Sequence, residues 1–319
     1  MNLTSSIRTS VVQKFHDTFG EQLSVQVPLA KYTSARVGGA AELLLTVHTV
    51  AELQHAAEMA YENRIPYFIL GGGSNILLAD RGVYGLVIIN KARETRFRNI
   101  GANVLCIVDS GANLSSLARQ CISRGLAGLE WAVSVPGTVG GAVVGNAGAH
   151  GGDMSDSLRA VQIWEPGRGV RLYSVTDMQY AYRDSILKQE QGRDLSRRVV
   201  LSAELVLQPE STETLMARAE GFIAHRKQTQ PAGATMGSMF KNPENYYAGY
   251  LIEAAGLKGF RVGGARISEK HANFFINDET ATAEDIRALI AEAWNTVREK
   301  FGVELELEVE LVGNWQFDE

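Results

Sequence analysis

The chain lacks the features that mark disulfide-rich, zinc-binding and nucleic-acid-binding proteins. Only two of its 319 residues are cysteines, Cys106 in an apolar run and Cys121 in a helical pattern. Disulfide frameworks and zinc sites need more cysteines at regular spacing, so two buried free thiols are expected. The formal net charge is -5 and there is no basic block. This charge distribution argues against nucleic acid as a partner.

Long apolar runs and a targeting segment are also missing. A membrane-spanning helix needs about 18 or more apolar residues, and no uncharged stretch reaches that length. Residues 1–8 lack the apolar core of a secretory signal peptide. No cluster of His, Cys or carboxylates has metal-ligand spacing, so no metal is predicted. We expect a cytoplasmic protein of two or three domains, without membrane insertion.

Two fingerprints of nucleotide binding are absent as well. The chain contains neither the Gly-Lys-Ser/Thr of a P-loop nor the Gly-x-Gly-x-x-Gly of a dinucleotide fold. A Rossmann nicotinamide domain is therefore not expected. Glycine is instead concentrated in two clusters. The first is Gly71-Gly72-Gly73 with Ser74 and Asn75 behind it, and the second places seven glycines between Val133 and Gly152.

The glycine clusters allow two interpretations. Glycine costs backbone entropy on folding, so this density indicates positive φ angles or a close approach of the backbone to something. One interpretation is a tight packing corner between sheets. The other is a cradle whose successive N–H groups point at a phosphate-bearing ligand. A predicted strand at 67–70 runs directly into the first cluster, which favours the phosphate cradle, but the residues alone leave both alternatives open.

Periodicity and capping residues predict the other elements. Helices are expected at 5–20, after Thr49 to about 62, from Asn113 to about 124, at 211–227, at 247–255 and from Thr282 to Gly302. Strands are expected at 43–47, 67–70, 85–90, 104–109, 160–165, 170–174, 199–207, 272–276 and 303–312. The last strand alternates strictly, with its apolar residues on one face.

Three motifs together resemble a known family. They are Gly71 to Asn75, Pro136 to Ala142 and Asn146 to Gly151. The chain is similar to UDP-N-acetylenolpyruvoylglucosamine reductases over about residues 29–313. It departs at Ser34, where the family has Thr, and at His150, where Tyr is usual.

The resemblance implies an α+β fold. Its first part is an FAD-binding domain of two α+β subdomains, similar to the PCMH and vanillyl-alcohol oxidase type, and its second part is a smaller C-terminal α+β substrate domain. The expected division is a lead-in at 1–34, the FAD-binding domain at 35–209 and the substrate domain at 210–319. FAD is expected to be bound non-covalently, with NADPH as co-substrate. The residues expected to bind FAD are Gly71, Gly72, Gly73, Ser74, Asn75, Ser134, Pro136, Gly137, Gly140, Gly141, Asn146, Gly148 and Ala149.

Three residues match the family's catalytic positions. Alone, Arg183 would be a solvated loop charge, Ser238 a turn former and Glu308 one of a water-facing row of glutamates. The resemblance instead implies that the substrate carboxylate pairs with Arg183, beside Glu308, while charge builds on it. A hydride passes from NADPH through the flavin to C3 of the enolpyruvyl ether, and Ser238 protonates C2.

The resemblance also implies residues that contact the substrate, UDP-N-acetylglucosamine enolpyruvate. These are Tyr182, Lys241, Asn242, Lys270 and His271. For His271, a packing role is an equal alternative. The segment around Glu308 departs from the family, with Leu307 for Pro and Glu310 for Arg, which makes it more acidic. Because Arg183 and Ser238 are close in sequence, the chain is similar to the family's shorter subtype. A monomer is expected.

Two other functions are open at this point. One is an FAD-linked oxidase of the same flavin-binding superfamily that acts on a sugar or alcohol. The other is a non-enzymatic module that binds a flavin or nucleotide sugar. The serine motif Gly237 to Pro243 argues against the first, and the intact set of Arg183, Ser238 and Glu308 argues against the second.

Overall fold

The chain forms two compact units, each assembled from segments that are distant in sequence. The structure, a computed structural model, describes residues 7–189 and 198–315. Unit 1 contains the chain up to Val25, Leu43–Gly72 and Gly85–His225, whereas unit 2 contains Gln26–Glu42, Gly73–Tyr84 and the chain from Arg226 onward. The units are discontinuous, and their last border lies between His225 and Arg226. The linear division at residues 34 and 209 stays a prediction.

Most helices lie where capping residues predict them. Thr49 Oγ1 accepts a hydrogen bond from Glu52 N at 3.1 Å, and Asn113 Oδ1 accepts one from Ser116 N at 2.9 Å. Gly302 closes the last helix with a φ of 67°. The helices are α1 (Thr9–Phe19), α2 (Val50–Glu62), α3 (Leu114–Ser123), α4 (Val139–Gly145), α5 (Met154–Ser157), α6 (Ile186–Gln189), α7 (Thr212–Thr229), α8 (Ala248–Ala254) and α9 (Ala283–Phe301).

The strands form both parallel and antiparallel pairs, and the mixture of helix and strand confirms the α+β class. They are β1 (Leu23–Pro28), β2 (Ala40–Val47), β3 (Tyr67–Leu70), β4 (Ile76–Leu78), β5 (Val83–Asn90), β6 (Thr95–Ile100), β7 (Asn103–Asp109), β8 (Leu126–Ala127), β9 (Gly148–Ala149), β10 (Gly152–Asp153), β11 (Leu158–Glu165), β12 (Gly169–Ser174), β13 (Val199–Pro209), β14 (Arg261–Val262), β15 (Ala265–Ile267), β16 (Phe275–Asn277) and β17 (Glu310–Val312).

A six-stranded sheet organises unit 1. Its main path has the order β12-β11-β13-β7-β6, and β8 pairs with one end of β13. One face packs against α3 and α4 in a core that contains both cysteines. Cys106 and Cys121 are free and fully buried, as predicted. A hydrogen bond to Cys106 and burial raise the pKa of the Cys121 thiol.

A second core of unit 1 surrounds the first parallel pair. Strand β3 pairs in parallel with β5, and the apolar faces of α1 and α2 cover these strands together with Trp164 of β11. The parallel direction places the ends of β3 and β5 at the same edge. The first glycine cluster follows β3 at that edge.

Unit 2 is a small sheet covered by helices. Strands β14, β15 and β16 form an antiparallel sheet, and β17 pairs in parallel with β4. The apolar faces of α8 and α9 and the strand residues share one core. Among the described residues, no helix is both long and apolar enough to span a membrane.

Two strand predictions for unit 2 were wrong in extent. The predicted strand at 303–312 forms only as β17, with a single bridge between Leu307 and Phe240 before it. The predicted strand at 272–276 is displaced to Phe275–Asn277. In the first segment Leu305 and Val309 are buried, as the alternation predicts, whereas residues 272–277 of the second segment are all buried. The middle of the first segment has only isolated backbone bonds, at Glu306 and Glu308, so burial alternates there without a regular strand.

Candidate active site

The two glycine clusters meet inside unit 1. A Cβ added to Gly72 would lie 2.7 Å from Gly137 Cα, and one added to Gly71 would lie 2.5 Å from Thr138 Oγ1. Real Cβ atoms do not approach other atoms this closely, so the loops can touch only because residues 71 and 72 are glycines. Gly71 and Gly72 therefore allow close packing of the two loops, and contact of these glycines with a phosphate-bearing ligand stays a prediction.

Helix α4 begins at this contact, and the N–H groups of its first turn donate hydrogen bonds to acceptors within the protein. Thr138 caps the helix, and its Oγ1 accepts from Gly141 N at 3.3 Å. Val139 N donates to Ala112 O at 2.9 Å, and Gly140 N donates to Ser110 O at 2.7 Å. These N–H groups already have acceptors in the protein. A Cβ added to Gly140 would lie 2.9 Å from Ser110 Cβ, whereas one added to Gly141 would meet only Thr138 Oγ1 at 3.6 Å. Gly141 can therefore favour a ligand mainly through the absence of a side chain.

A buried hydroxyl beside this corner has no partner. Among the described residues, Ser134 Oγ and Trp131 Nε1 are buried without a hydrogen-bond partner. Burial of an unpaired polar group costs about 1–3 kcal/mol, so such groups usually face a ligand or a water molecule. Ser134 is one of the residues predicted to bind FAD, and the unpaired hydroxyl fits a ligand rich in polar oxygens. Trp131 was not predicted to contact a ligand, because a tryptophan in an apolar run is typical of the hydrophobic core.

The far end of α4 holds the arginine loop, residues 181–184. The last carbonyls of a helix lack partners within the helix. Tyr180 Oη donates to Val143 O at 2.9 Å, and Ser185 Oγ donates to Val144 O at 2.5 Å. These two hydroxyls flank the loop on both sides. Burial raises the pKa of the Tyr180 phenol, so it remains a hydrogen-bond donor at neutral pH.

Asn146 ends α4 and ties it to the same loop. Its φ of 42° is in the left-handed region that asparagine tolerates at a helix end. Asn146 Nδ2 donates to Ala181 O at 3.1 Å, and Asn146 Oδ1 accepts from Ser155 N at 3.2 Å. Its side chain is thus engaged within the protein. The predicted contact of Asn146 with FAD stays a prediction.

Arg183 lies at the tip of this loop, above the second glycine cluster. Ala181 and Asp184 exchange two backbone hydrogen bonds of 3.2 Å, which closes a tight turn around Tyr182 and Arg183. Arg183 Nη2 donates to Gly148 O at 2.7 Å, and Lys188 Nζ donates to Arg183 O at 3.0 Å. The guanidinium is therefore half-buried and directed, unlike a freely solvated surface charge.

In unit 2 the serine segment, residues 238–241, lies between two other segments. On one side Ser238 pairs with Phe274, and Met239 N donates to Asn273 O at 2.8 Å. On the other side Phe240 pairs with Leu307, and Lys241 N donates to Glu306 O at 2.8 Å. The structure thus brings together the Ser238 and Glu308 motifs, which are 70 residues apart in sequence.

Glu308 is fixed through both ends of its own backbone. Its N–H donates to Met239 O at 3.0 Å, next to Ser238. Its carbonyl accepts from Asn75 Nδ2 at 3.0 Å, and Glu310 N donates to Asn75 O at 3.0 Å. Asn75 belongs to the first glycine cluster, so in unit 2 that cluster also supports the segment that carries Glu308.

The predicted substrate residues of unit 2 have partners within the protein. Lys241 Nζ forms an ion pair with Glu306 Oε1 at 2.6 Å, and Asn242 Oδ1 accepts from Ala248 N at 3.1 Å, at the start of α8. Lys270 Nζ donates to Lys227 O at 2.6 Å. The Lys241 side chain is 12% exposed and that of Glu306 is 71% exposed, so the lysine is the buried member of this pair.

His271 has the geometry of the packing alternative. Its Nδ1 accepts from Asn273 N at 3.3 Å, its ring lies edge-on to Phe274, and a Cβ added to Gly249 would lie 2.9 Å from its Cε1. Burial, with Lys258 nearby, lowers the pKa of this imidazole. A role in substrate binding stays a prediction for His271, as it does for Tyr182, whose side chain is 56% exposed in unit 1.

Comparison with known proteins places this site in a family. Residues 41–171 match the model of an FAD binding domain, and residues 228–312 match the C-terminal domain of UDP-N-acetylenolpyruvoylglucosamine reductase. The UDP-N-acetylenolpyruvoylglucosamine reductase of Synechococcus elongatus is 42% identical over 300 residues, or 93% of this chain and 96% of the relative. The chain belongs to the UDP-N-acetylenolpyruvoylglucosamine reductase family.

Other relatives agree with this assignment. The UDP-N-acetylenolpyruvoylglucosamine reductase of Chloroflexus aggregans is 41% identical over 285 residues, 89% of this chain and 96% of its own length. The crystal structure of the reductase from Thermus caldophilus matches with a TM-score of 0.75 and 34% identity, covering 91% of this chain and 98% of that one. These matches confirm the resemblance, the FAD-binding fold and the membership of the reductase family.

Proposed function

We propose that the chain reduces the enolpyruvyl group of UDP-N-acetylglucosamine enolpyruvate with NADPH and yields UDP-N-acetylmuramate, a precursor of peptidoglycan. The observation that carries this proposal is family membership at 41–42% identity, with the serine segment and Glu308 paired in unit 2. The product links the enzyme to cell-wall synthesis and thereby to cell shape and division. A cytoplasmic monomer fits these roles, and UDP-N-acetylglucosamine enolpyruvate and NADPH are its partners.

FAD fits the glycine corner of unit 1. The unpaired Ser134 hydroxyl beside this corner provides a polar contact for an oxygen-rich ligand. When bound, FAD supplies two-electron redox chemistry that takes electrons from NADPH and passes them to a carbon–carbon double bond. In unit 1 we assign its contacts to Gly71, Gly72, Ser134, Pro136, Gly137, Gly140, Gly141, Gly148 and Ala149, with Asn146 mainly supporting the protein around them. For Gly73, Ser74 and Asn75, which belong to unit 2, contact with FAD stays a prediction from the resemblance.

Arg183 stabilises the charge that develops on the substrate. Reduction at C3 of an enolpyruvyl ether leaves negative charge on C2 and on the carboxylate. A guanidinium is always protonated and can pair with a carboxylate through two N–H groups. Because Gly148 and the closed turn hold Arg183 before the substrate arrives, little reorganisation is needed when the charge forms. Glu308 is proposed to act in the same step.

Ser238 completes the reaction by protonating C2. The Ser238 O–H bond breaks, a C2–H bond forms, and the alkoxide left on Ser238 takes a proton from solvent. A positioned proton donor accelerates such a step by about 10²- to 10⁴-fold. Lys241 and Asn242 follow the serine along the same segment. With Tyr182, Lys270 and His271, they are proposed to contact the nucleotide sugar.

The test separates the two halves of the reaction. We expect Ser238→Ala to bind FAD and to let NADPH bleach the flavin absorbance at the wild-type rate, while product formation falls by at least about 10²-fold. Product formation at the wild-type rate would remove Ser238 as the proton donor. Arg183→Ala is expected to impair the same half of the reaction through the loss of charge stabilisation.

An oxidase would behave differently in the same assay. Under nitrogen, a reductase consumes NADPH only while UDP-N-acetylglucosamine enolpyruvate is present. An FAD-linked oxidase would instead need oxygen to reoxidise its flavin and would ignore the enolpyruvyl compound. Oxygen-dependent turnover without that compound would therefore overturn the proposal.

A further inference from the structure

The serine segment depends on one buried amide side chain. Asn273 is 3% exposed. Its Oδ1 accepts from Phe240 N at 2.9 Å, and its Nδ2 donates to Phe240 O at 2.8 Å. The side-chain amide therefore pairs with both polar groups of one backbone residue, as a neighbouring strand would. Because Ser238 is part of no regular strand, these two bonds replace ladder bonds that the segment lacks.

The backbone of Asn273 adds a third bond to the same place. Met239 N donates to Asn273 O at 2.8 Å, and the next residue, Phe274, pairs with Ser238. Residues 238–240 are thus held on one side by a single two-residue stretch. Gly237, just before Ser238, has a φ of 85°, so the chain bends immediately upstream of the segment that Asn273 holds.

The same arrangement reaches Glu308. Met239 O accepts from Glu308 N at 3.0 Å, so the residue between Ser238 and Phe240 also fixes the backbone of the glutamate. A shift of Phe240 away from Asn273 would move Ser238 and loosen this bond. Asn273 therefore helps to set the spacing between Ser238 and Glu308, although its amide is neither a proton donor to the substrate nor a charged group.

We propose that Asn273 is a positioning residue, whose side-chain amide holds the serine segment so that Ser238 can deliver its proton to one face of the substrate. This inference rests on the proposed function, because it uses the assignment of Ser238 as the proton donor. It predicts that loss of the amide affects protonation far more than the reduction of the flavin by NADPH.

The decisive variant is Asn273→Asp, which keeps the shape and removes the donor. A carboxylate accepts from Phe240 N but leaves Phe240 O unpaired and places negative charge beside it. Asn277 provides a matched control. It is 5% exposed, its Nδ2 donates to Ala35 O at 2.9 Å, and its Oδ1 accepts from Ala281 N at 3.0 Å, away from the serine segment.

Amide hydrogen exchange tests, independently of catalysis, whether Asn273 holds the serine segment. Asn273→Asp retains the acceptors of Met239 N and Phe240 N but loses the donor to Phe240 O, so local opening of the segment should become easier. We expect exchange at Met239 and Phe240 to accelerate by about 10-fold, the change that corresponds to the contribution of about one hydrogen bond to local stability. Asn277→Asp is expected to leave exchange at these two residues unchanged, although both variants lose comparable thermal stability. Equal exchange at Met239 and Phe240 in the two variants would overturn the positioning role.

Kinetics and product configuration test the consequence. Because a displacement of about 1 Å can cost about 10²-fold, Asn273→Asp should slow product formation by about that factor, while NADPH bleaches the flavin at the rate of Asn277→Asp. Protonation by water from either face should then yield a mixture of configurations at C2. A single configuration formed at the control rate would contradict the inference.

The proposed function and this inference can fail separately. If wild-type protein forms no UDP-N-acetylmuramate, the function is wrong, but the exchange measurement still decides whether Asn273 holds residues 238–240. If wild-type protein is active and the two variants exchange and react alike, only the inference is wrong.

Discussion

The two units support their proposed catalytic residues in different ways. In unit 1, Arg183 is at the tip of a turn, and two side-chain hydroxyls attach that turn to the last carbonyls of α4. In unit 2, Ser238 and Glu308 lie on neighbouring extended segments, joined by backbone hydrogen bonds and asparagine amides. The long side chain of Arg183 is positioned by anchoring the turn that carries it. Ser238 and Glu308 are positioned by a fixed spacing between their two backbone segments.

Glycines also have different roles in the two units. In unit 1 the glycines allow close backbone contact, as between Gly72 and Gly137. In unit 2, Gly73 has a φ of 60°, and a Cβ there would lie 2.1 Å from Tyr32 O. Gly73 O accepts from Ser34 N at 2.9 Å. One continuous run of three glycines therefore serves steric clearance at one position and a left-handed turn at the next.

The largest stability effect is expected at the glycine corner. Gly72→Ala should cost about 1–3 kcal/mol, because the new methyl group would meet the Gly137 backbone, which cannot move aside. The protein should also retain less flavin on purification. Thermal unfolding and the ratio of flavin to protein absorbance measure the two effects.

Gly145→Ala is the control for this prediction. Gly145 ends α4, and a Cβ there meets nothing within 4 Å. Replacement of glycine by alanine in a helix gains up to about 1 kcal/mol, so this variant should be at least as stable as the wild type. If both variants lose stability equally, the close contact of the two loops is not the cause.

A smaller effect should separate anchoring from general stability. Ser185→Ala leaves Val144 O without its hydroxyl donor and should cost about 1 kcal/mol. Because the arginine loop then moves, turnover should fall about 10-fold, with NADPH reduction of the flavin unaffected. Steady-state kinetics under nitrogen measure this difference.

Ser157→Ala is the matched variant in the same unit. Ser157 is buried, and its Oγ donates to Gly128 O at 2.8 Å, which is also a bond from a hydroxyl to a backbone carbonyl. We expect a similar loss of stability with wild-type turnover. Equal turnover in the two variants would show that the hydroxyl at Ser185 does not position Arg183.

The smallest effect concerns pH and unit 2. The pKa of His271 is lowered in the folded protein by burial and by Lys258, so below about pH 6.5 the unfolded chain binds the proton more readily. The free energy of unfolding should therefore decrease as the pH falls from 7 to 5. His271→Asn, which retains an acceptor for Asn273 N, should weaken this decrease. An unchanged pH dependence of thermal unfolding in that variant would contradict the assignment.

Sequence patterns predicted best the elements whose signals are local. Helix α9 has its capping pair, Thr282 and Asp285, its apolar face and a terminal Gly302, and all of them lie where predicted. Strand β6 was missed, because it is an exposed edge strand with little alternation of apolar residues. Helix α4 was missed, because its glycines have low helix propensity and tertiary hydrogen bonds stabilise its first turn.

The candidate site was predictable in its members but not in its connections. Motif resemblance pointed to Arg183, Ser238 and Glu308. Taken alone, these residues would be a solvated charge, a turn former and a water-facing glutamate. The supporting side chains gave no comparable signal. Asn273, Ser185 and Tyr180 act through one or two hydrogen bonds to backbone atoms that are from 33 to 41 residues away in sequence.

By itself, the sequence determined the local elements, the two buried thiols, the glycine clusters and the membership of the family, because each of these is encoded by neighbouring residues. Only the tertiary structure decided which glycines touch, that α4 anchors the arginine loop, and that Asn75 and Asn273 support Glu308 and the serine segment. These contacts join distant segments, and a backbone carbonyl accepts a hydrogen bond regardless of which residue carries it. Their partners are therefore set by the fold and leave no pattern in the sequence.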